Sequence, residues 1–199
     1  MFATSSSTPT NTWERIAAWV TWVFLSGVSV LAGFHLAYTV GDFSDDAGYP
    51  LSGRAIALLM IQIISLLLGL GQGLVVRKYL HRAVWWVVAT WLGCDLSLVL
   101  VALPIINIGI STPYLEMVII AVSIGLGVGI AQALVLNVSL HWRATWVGVS
   151  LAGWLLLAAT LPLPIAEWRD LVWVGLAPAL VTGTAWVWGI GDKTRQAGT

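Results

Sequence analysis

Charged side chains are scarce in this chain. Nine basic and nine acidic residues make up 9% of its 199 residues and cancel to a formal net charge of zero. A soluble domain carries about 25% charged residues to keep its surface wet, so this shortage argues against a water-soluble globule. Lys and Arg form no run long enough for a nucleic-acid patch or a polybasic lipid-binding tail, and nucleic acid is not an expected partner. Cysteine is limited to Cys94, inside an apolar stretch, which rules out an intramolecular disulfide. The Ser- and Thr-rich start lacks the basic segment of a secretory signal peptide and reads as a short disordered tail over residues 1–15. The G-x-S-x-G, H-E-x-x-H, P-loop and C-x-x-C signatures are all missing, so the motifs point away from an enzyme and require no cofactor.

What fills the chain instead is apolar: 59% of residues are hydrophobic and the mean hydropathy is +0.91. Long apolar segments run from Ile16 to Val40, Arg54 to Val76, Ala83 to Ile106, Tyr114 to Leu136, Ala144 to Ile165 and Leu171 to Ile190. Crossing a hydrocarbon layer of about 30 Å takes roughly 20 residues of helix, so these segments predict an all-α bundle of six transmembrane helices over residues 16–191, with a short tail over 192–199. Turn chemistry separates them, in the stretches Gly41 to Gly53, Asn107 to Pro113 and Pro162 to Asp170. With six spans, Arg15, Arg77, Lys78, Arg82, Arg143, Lys193 and Arg195 fall on one side, and only Arg54 and Arg169 on the other. The positive-inside rule then puts both termini in the cytoplasm, and a bacterial inner membrane is the expected setting.

Tryptophan is abundant. Trp13, Trp19, Trp22, Trp85, Trp86, Trp142, Trp146, Trp186 and Trp188 map near the cytoplasmic ends of the expected spans. An aromatic belt, with rings buried and N–H groups near the headgroups, is the expected arrangement; a cofactor or pigment pocket is the sharper alternative.

Sliding the chain by about 60 residues brings Gln72, Leu74, Val75, Leu80, His81, Trp86 and Gly93 onto Gln132, Leu134, Val135, Leu140, His141, Trp146 and Gly153. Gly33 joins Gly93 and Gly153 one period earlier. Each period holds two spans, so the units enter the membrane from the same side: three parallel helical hairpins about a pseudo-threefold axis along the membrane normal. Gly69 and Gly73, like Gly125 and Gly129, have the G-x-x-x-G spacing that lets helix backbones approach closely where lipid offers no hydrophobic drive. Gln72 and Gln132 lie beside these glycines and are expected to bond neighbouring helices as packing residues.

The segment Gly71-Gln72-Gly73-Leu74-Val75-Val76-Arg77, followed by Ala83 through Trp86 and on to Gly93, resembles a hairpin recurrent in multi-pass bacterial membrane proteins of uncharacterised activity. There a G-x-x-Q-x-L-V-L-R helix end precedes W-x-x-A-T-x-x-G. The resemblance implies architecture and no activity, and the second copy departs from it at Asn137 and Ser150.

Asp95 is the one carboxyl well inside an expected span, where a charge costs about 2.5 to 3.5 kcal/mol on insertion scales. His35 holds the repeat-equivalent place, two residues after Gly33 as Asp95 follows Gly93. Brought together near the axis, the two would form an intramembrane polar or proton-sharing site; the plainer arrangement is a His reaching the outer interface and a protonated Asp bonding a neighbouring helix. His81 and His141 lack a third ligand, so no metal site is expected. Two functions compete. One is a structural or accessory subunit assembling with other membrane proteins. The other is a small transporter or channel for protons or a small solute, using a polar path through Asp95, His35, Gln62 or Asn107.

Overall fold

In the computed structural model, which describes residues 12–48, 53–78, 80, 83–104, 112–160 and 168–190, the chain is helical, with no strand among these residues. Six helices follow in order: α1 (Thr12–Asp46), α2 (Gly53–Val76), α3 (Ala83–Ser97), α4 (Pro113–Val135), α5 (Leu140–Thr160) and α6 (Trp168–Ala185). α3 runs on into a π-helical turn at Leu98–Ala102, and α6 into another at Trp186–Ile190. Four stretches are long and apolar enough to cross a membrane: Thr12–Asp46, Leu58–Val76, Ala83–Ala102 and Tyr114–Val135. They mark the chain as a membrane protein. The apolar stretch in α6, Val174–Gly189, is shorter. α5 opens on His141, Trp142 and Arg143, which lower its hydropathy.

The helix ends follow from local chemistry. α1 takes in Thr12 to Arg15 as well as the expected span, with Glu14 in its first turn where the helix dipole favours an acid. It then continues past Val40 to Asp46, because nothing before Gly48 breaks it; Gly48, at φ 78°, takes the left-handed conformation that ends a helix without a side-chain clash. At 35 residues, α1 is about 52 Å long, well beyond the hydrocarbon thickness, so it tilts or extends past it. Pro113 sits in the first turn of α4, where its missing N–H costs no helical bond.

Each helix packs chiefly on its neighbours in sequence, and α6 closes back on α1. The result is a closed ring of six helices running alternately up and down. The closest approaches are made at glycines. A Cβ on Gly69 of α2 would stand 3.1 Å from the Cα of Val87 and 3.2 Å from Thr90 Cβ on α3. Sixty residues on, a Cβ on Gly129 of α4 would stand 3.1 Å from Val147 Cα and 3.0 Å from Ser150 Cβ on α5. Gly33 packs α1 on Ile64 of α2, Gly93 packs α3 on Gly127 and Val128 of α4, and Gly153 packs α5 on Pro178 of α6. These partners are not evenly spaced along the chain. The Gly–Val contact is thus common to the α2/α3 and α4/α5 junctions, while the partners of Gly33, Gly93 and Gly153 stand at different separations.

A side chain at Gly69 or Gly129 must push two backbones apart. Gly129→Val is expected to destabilise the bundle by about 1–3 kcal/mol in reversible detergent unfolding. Gly148, with nothing within 4 Å of a built Cβ, is the control: Gly148→Ala is expected to leave stability unchanged or raise it by up to about 1 kcal/mol.

Candidate functional site

Near one end of the ring every helix sends a side chain inward. Trp22 of α1, Trp86 of α3, Trp146 of α5 and Trp186 at the end of α6 are each 0% exposed. Every pair of these four rings has centroids 5.2 to 6.4 Å apart, mostly edge to face, with Trp22 and Trp186 stacked. Edge-to-face pairs suit the ring quadrupole and add about 0.5–1.5 kcal/mol each beyond plain contact. For these four residues the expected aromatic belt is corrected: sequence depth tells where a Trp lies along the membrane, not whether it points outward. Trp13, Trp85 and Trp188, exposed by 74%, 52% and 48%, do face outward. Trp19 and Trp142 pack against the inner cluster, and Trp19 Nε1 donates to Thr184 Oγ1 at 3.0 Å.

An indole N–H inside a bundle needs an acceptor, because lipid supplies none. Trp86 Nε1 donates to Gln72 Oε1 at 3.2 Å and Trp146 Nε1 to Gln132 Oε1 at 3.1 Å, two bonds with the same 14-residue spacing. Since an indole can only donate, it dictates which amide atom faces it. Both amides are thereby oriented. Gln132 Nε2 then donates to Gln72 Oε1 at 3.3 Å and to Thr90 Oγ1 at 2.7 Å, while Thr90 gives its own proton to the Trp86 carbonyl at 2.8 Å. Trp22 Nε1 donates to Thr182 Oγ1 at 3.3 Å, closing α1 onto α6, and Thr182 donates to the Pro178 carbonyl at 2.8 Å. Gln72 and Gln132 do bond neighbouring helices, and they also bond each other at the centre of the ring.

A cavity of about 30 Å³ adjoins this network, with Gln72, Gln132, Ser150 and Thr182 on its polar side and Ile64 and Val174 among its apolar walls. That is room for about two water molecules. Beyond the cavity, Cys94, Leu98, Ala102, Ile124 and Val128 form a second apolar cluster between α3 and α4. Among the described residues no three His, Cys, Asp or Glu gather where they could hold a metal ion.

The structure does not bring His35 and Asp95 together. His35 is exposed on α1. Asp95 is half-buried on α3 and accepts a short hydrogen bond from Gln62 Nε2 of α2, while Gln62 Oε1 accepts one from Trp91 Nε1 at 2.6 Å. Among the described residues no hydrogen bond or ion pair joins His35 to Asp95. The physical reason is direction: Trp22 and Trp86 of the same two helices meet inside the ring, whereas His35 lies on the outer face, where α2 stands between α1 and α3 and Gln62 holds Asp95. Asn107 and His81 lie outside the described residues. Reasoning from sequence missed the inward role of Trp22, Trp86, Trp146 and Trp186; for Trp86 and Trp146 the signal available was a Gln fourteen residues earlier, and Trp22 and Trp186 have no such partner in sequence.

Gln132→Leu removes three hydrogen bonds and leaves the Trp146 N–H buried without an acceptor. It is expected to cost about 1–3 kcal/mol, more than Gln72→Leu, in detergent unfolding. Trp86→Phe is expected to weaken the indole exciton coupling seen in circular dichroism, whereas Trp85→Phe, on an exposed ring, leaves it unchanged. No protein-family model matches the chain, and neither curated proteins nor solved structures give a match, so the site is read from its own geometry.

Proposed function

We propose that this protein is a structural or accessory subunit of a bacterial inner membrane, acting by assembly with other membrane proteins. In this reading all six helices span the bilayer as three parallel hairpins with a period of about 60 residues. Both termini are cytoplasmic, and the chain shares its ancestry with the multi-pass hairpin family it resembles. Two observations support the topology. α5 and α6 complete a ring with four helices that are apolar enough to span, so they need the same depth. The Gly–Val and Gln–Trp contacts of the α2/α3 junction recur at α4/α5.

The observation that carries the assembly role is the occluded interior. Four mutually packed indoles and two glutamines bonded to each other fill the axis at one end, and the amides of Gln72 and Gln132 also bond Trp86, Trp146 and Thr90. A conduit needs polar groups that a passing solute can use, and the two glutamine amides at the axis are already engaged. The alternative, a path for a proton or small solute through His35 and Asp95, has the half-buried Asp95 carboxyl in its favour. It has no axial lining, because neither residue borders the cavity.

Purification from the native membrane in mild detergent, followed by mass spectrometry, is expected to recover other membrane proteins in stoichiometric amounts. Reconstituted vesicles are expected to show no proton or solute flux above empty vesicles. Flux that disappears in Asp95→Asn, with no partner recovered, would replace the assembly reading with the transport one.

A further inference from the structure

The outer face of α1, α2 and α3 carries polar groups where a membrane protein ordinarily shows only apolar ones. Gln62 and Asp95 are half-buried, Trp91 is 37% exposed and His35 is exposed, all on stretches that are apolar enough to span. Among the described residues Asp95 has Gln62 as its hydrogen-bond partner, and the His35 imidazole has none. A carboxyl and an imidazole facing lipid are costly, and intramembrane ionisable groups pair with one another. Within one chain this pair does not meet, because on the outer face of the ring α2 stands between α1 and α3.

Their depths match. Trp22 and Trp86 touch, which sets a common level on α1 and α3. Counting along each helix from there, His35 and Asp95 stand within about one helical turn of each other. Gly33 packs on Ile64 of α2, two residues from Gln62, which agrees with that level. His35 and Asp95 thus flank α2 at nearly one height. Between them α2 presents a ridge at four-residue spacing: Leu58, Gln62, Leu66, Leu70 and Leu74, the leucines 39–52% exposed.

We propose that two copies of this chain pair in the membrane across α2, with His35 of each copy donating to the Asp95 carboxylate of the other. Two copies inserted the same way round are related by a twofold axis along the membrane normal, and such an interface is self-complementary. With that axis in front of α2, the α1 of each copy faces the α3 of the other, so both His–Asp contacts form at once and the leucine ridges meet between them. A donor on one flank and an acceptor on the other, at one depth, is the charge pattern this symmetry requires. Self-pairing goes beyond the assembly role proposed above and does not depend on it.

The test counts subunits of the full chain, by single-molecule photobleaching in lipid vesicles over a range of protein-to-lipid ratios. The wild type is expected to form dimers. His35→Ala and Asp95→Ala are each expected to weaken association by about tenfold, as loss of both interhelical polar contacts implies. A mixture of the two variants is expected to pair more tightly than either alone, because a mixed dimer keeps one intact contact. Emission from the buried tryptophans reports the fold of each variant, and His35→Ala, at an exposed position, carries the test if Asp95→Ala perturbs it. A wild type that stays monomeric at every ratio, a His35→Ala variant that pairs as tightly as wild type, or a mixture no tighter than its components would overturn the proposal.

Discussion

An indole N–H is costly to bury without an acceptor inside a bilayer, and the packing of Trp22, Trp86 and Trp146 follows from where each finds one. Trp86 and Trp146 use the glutamines fourteen residues before them, and Trp22 uses Thr182 across the closing seam of the ring. Each bond joins a helix to a neighbour in the ring. The bond from Gln132 to Gln72 then ties the α2/α3 junction to the α4/α5 junction. Hydrogen bonds between membrane helices average only about 0.6 kcal/mol, so no single one holds the fold. Their effect is directional: once the indoles orient the amides, one arrangement of the inner side chains satisfies these groups and a slipped register does not.

Close packing has to come with that network, because lipid tails are as apolar as the helices and provide no hydrophobic drive for association. Gly69 and Gly129 bring α2 against α3 and α4 against α5 to distances at which a Cβ would press on backbone. At those distances a glutamine near the end of one helix reaches a tryptophan near the start of the next. Glycine and glutamine are therefore parts of one device, used twice. At the third seam the device differs. Ser26 stands where the 60-residue period would put a tryptophan, and Trp22, one turn earlier, together with Trp186 fills the axis instead.

The outside of the ring obeys a different constraint. Its apolar surface is what lipid wants, and the exposed leucines of α2 need no explanation beyond that. Gln62, Trp91, Asp95 and His35 do, since lipid cannot solvate them. Gln62 absorbs part of the demand by bonding both Asp95 and Trp91. The glutamine amides inside the ring are thus engaged by their own partners, while polarity on the outer face is only partly so. That contrast separates the groups that build the fold from those available to another molecule.

Composition and spacing by themselves determined that the chain is helical and belongs in a membrane, because few charges and long apolar runs leave no other solvent for it. They also determined that Gly69, Gly73, Gly125 and Gly129 serve packing and that Gln72 and Gln132 bond between helices, since small residues and amides have few other uses in apolar helices. Direction was not legible. A tryptophan near a helix end reads the same whether its ring faces headgroups or the axis, and only the packing of the whole ring, with α6 closing on α1, placed four of them inward. The period of about 60 residues suggested that His35 and Asp95 share a place, and in depth they nearly do. Whether they meet depends on which way each side chain faces, and on the outer face α2, standing between α1 and α3, keeps them apart within one chain.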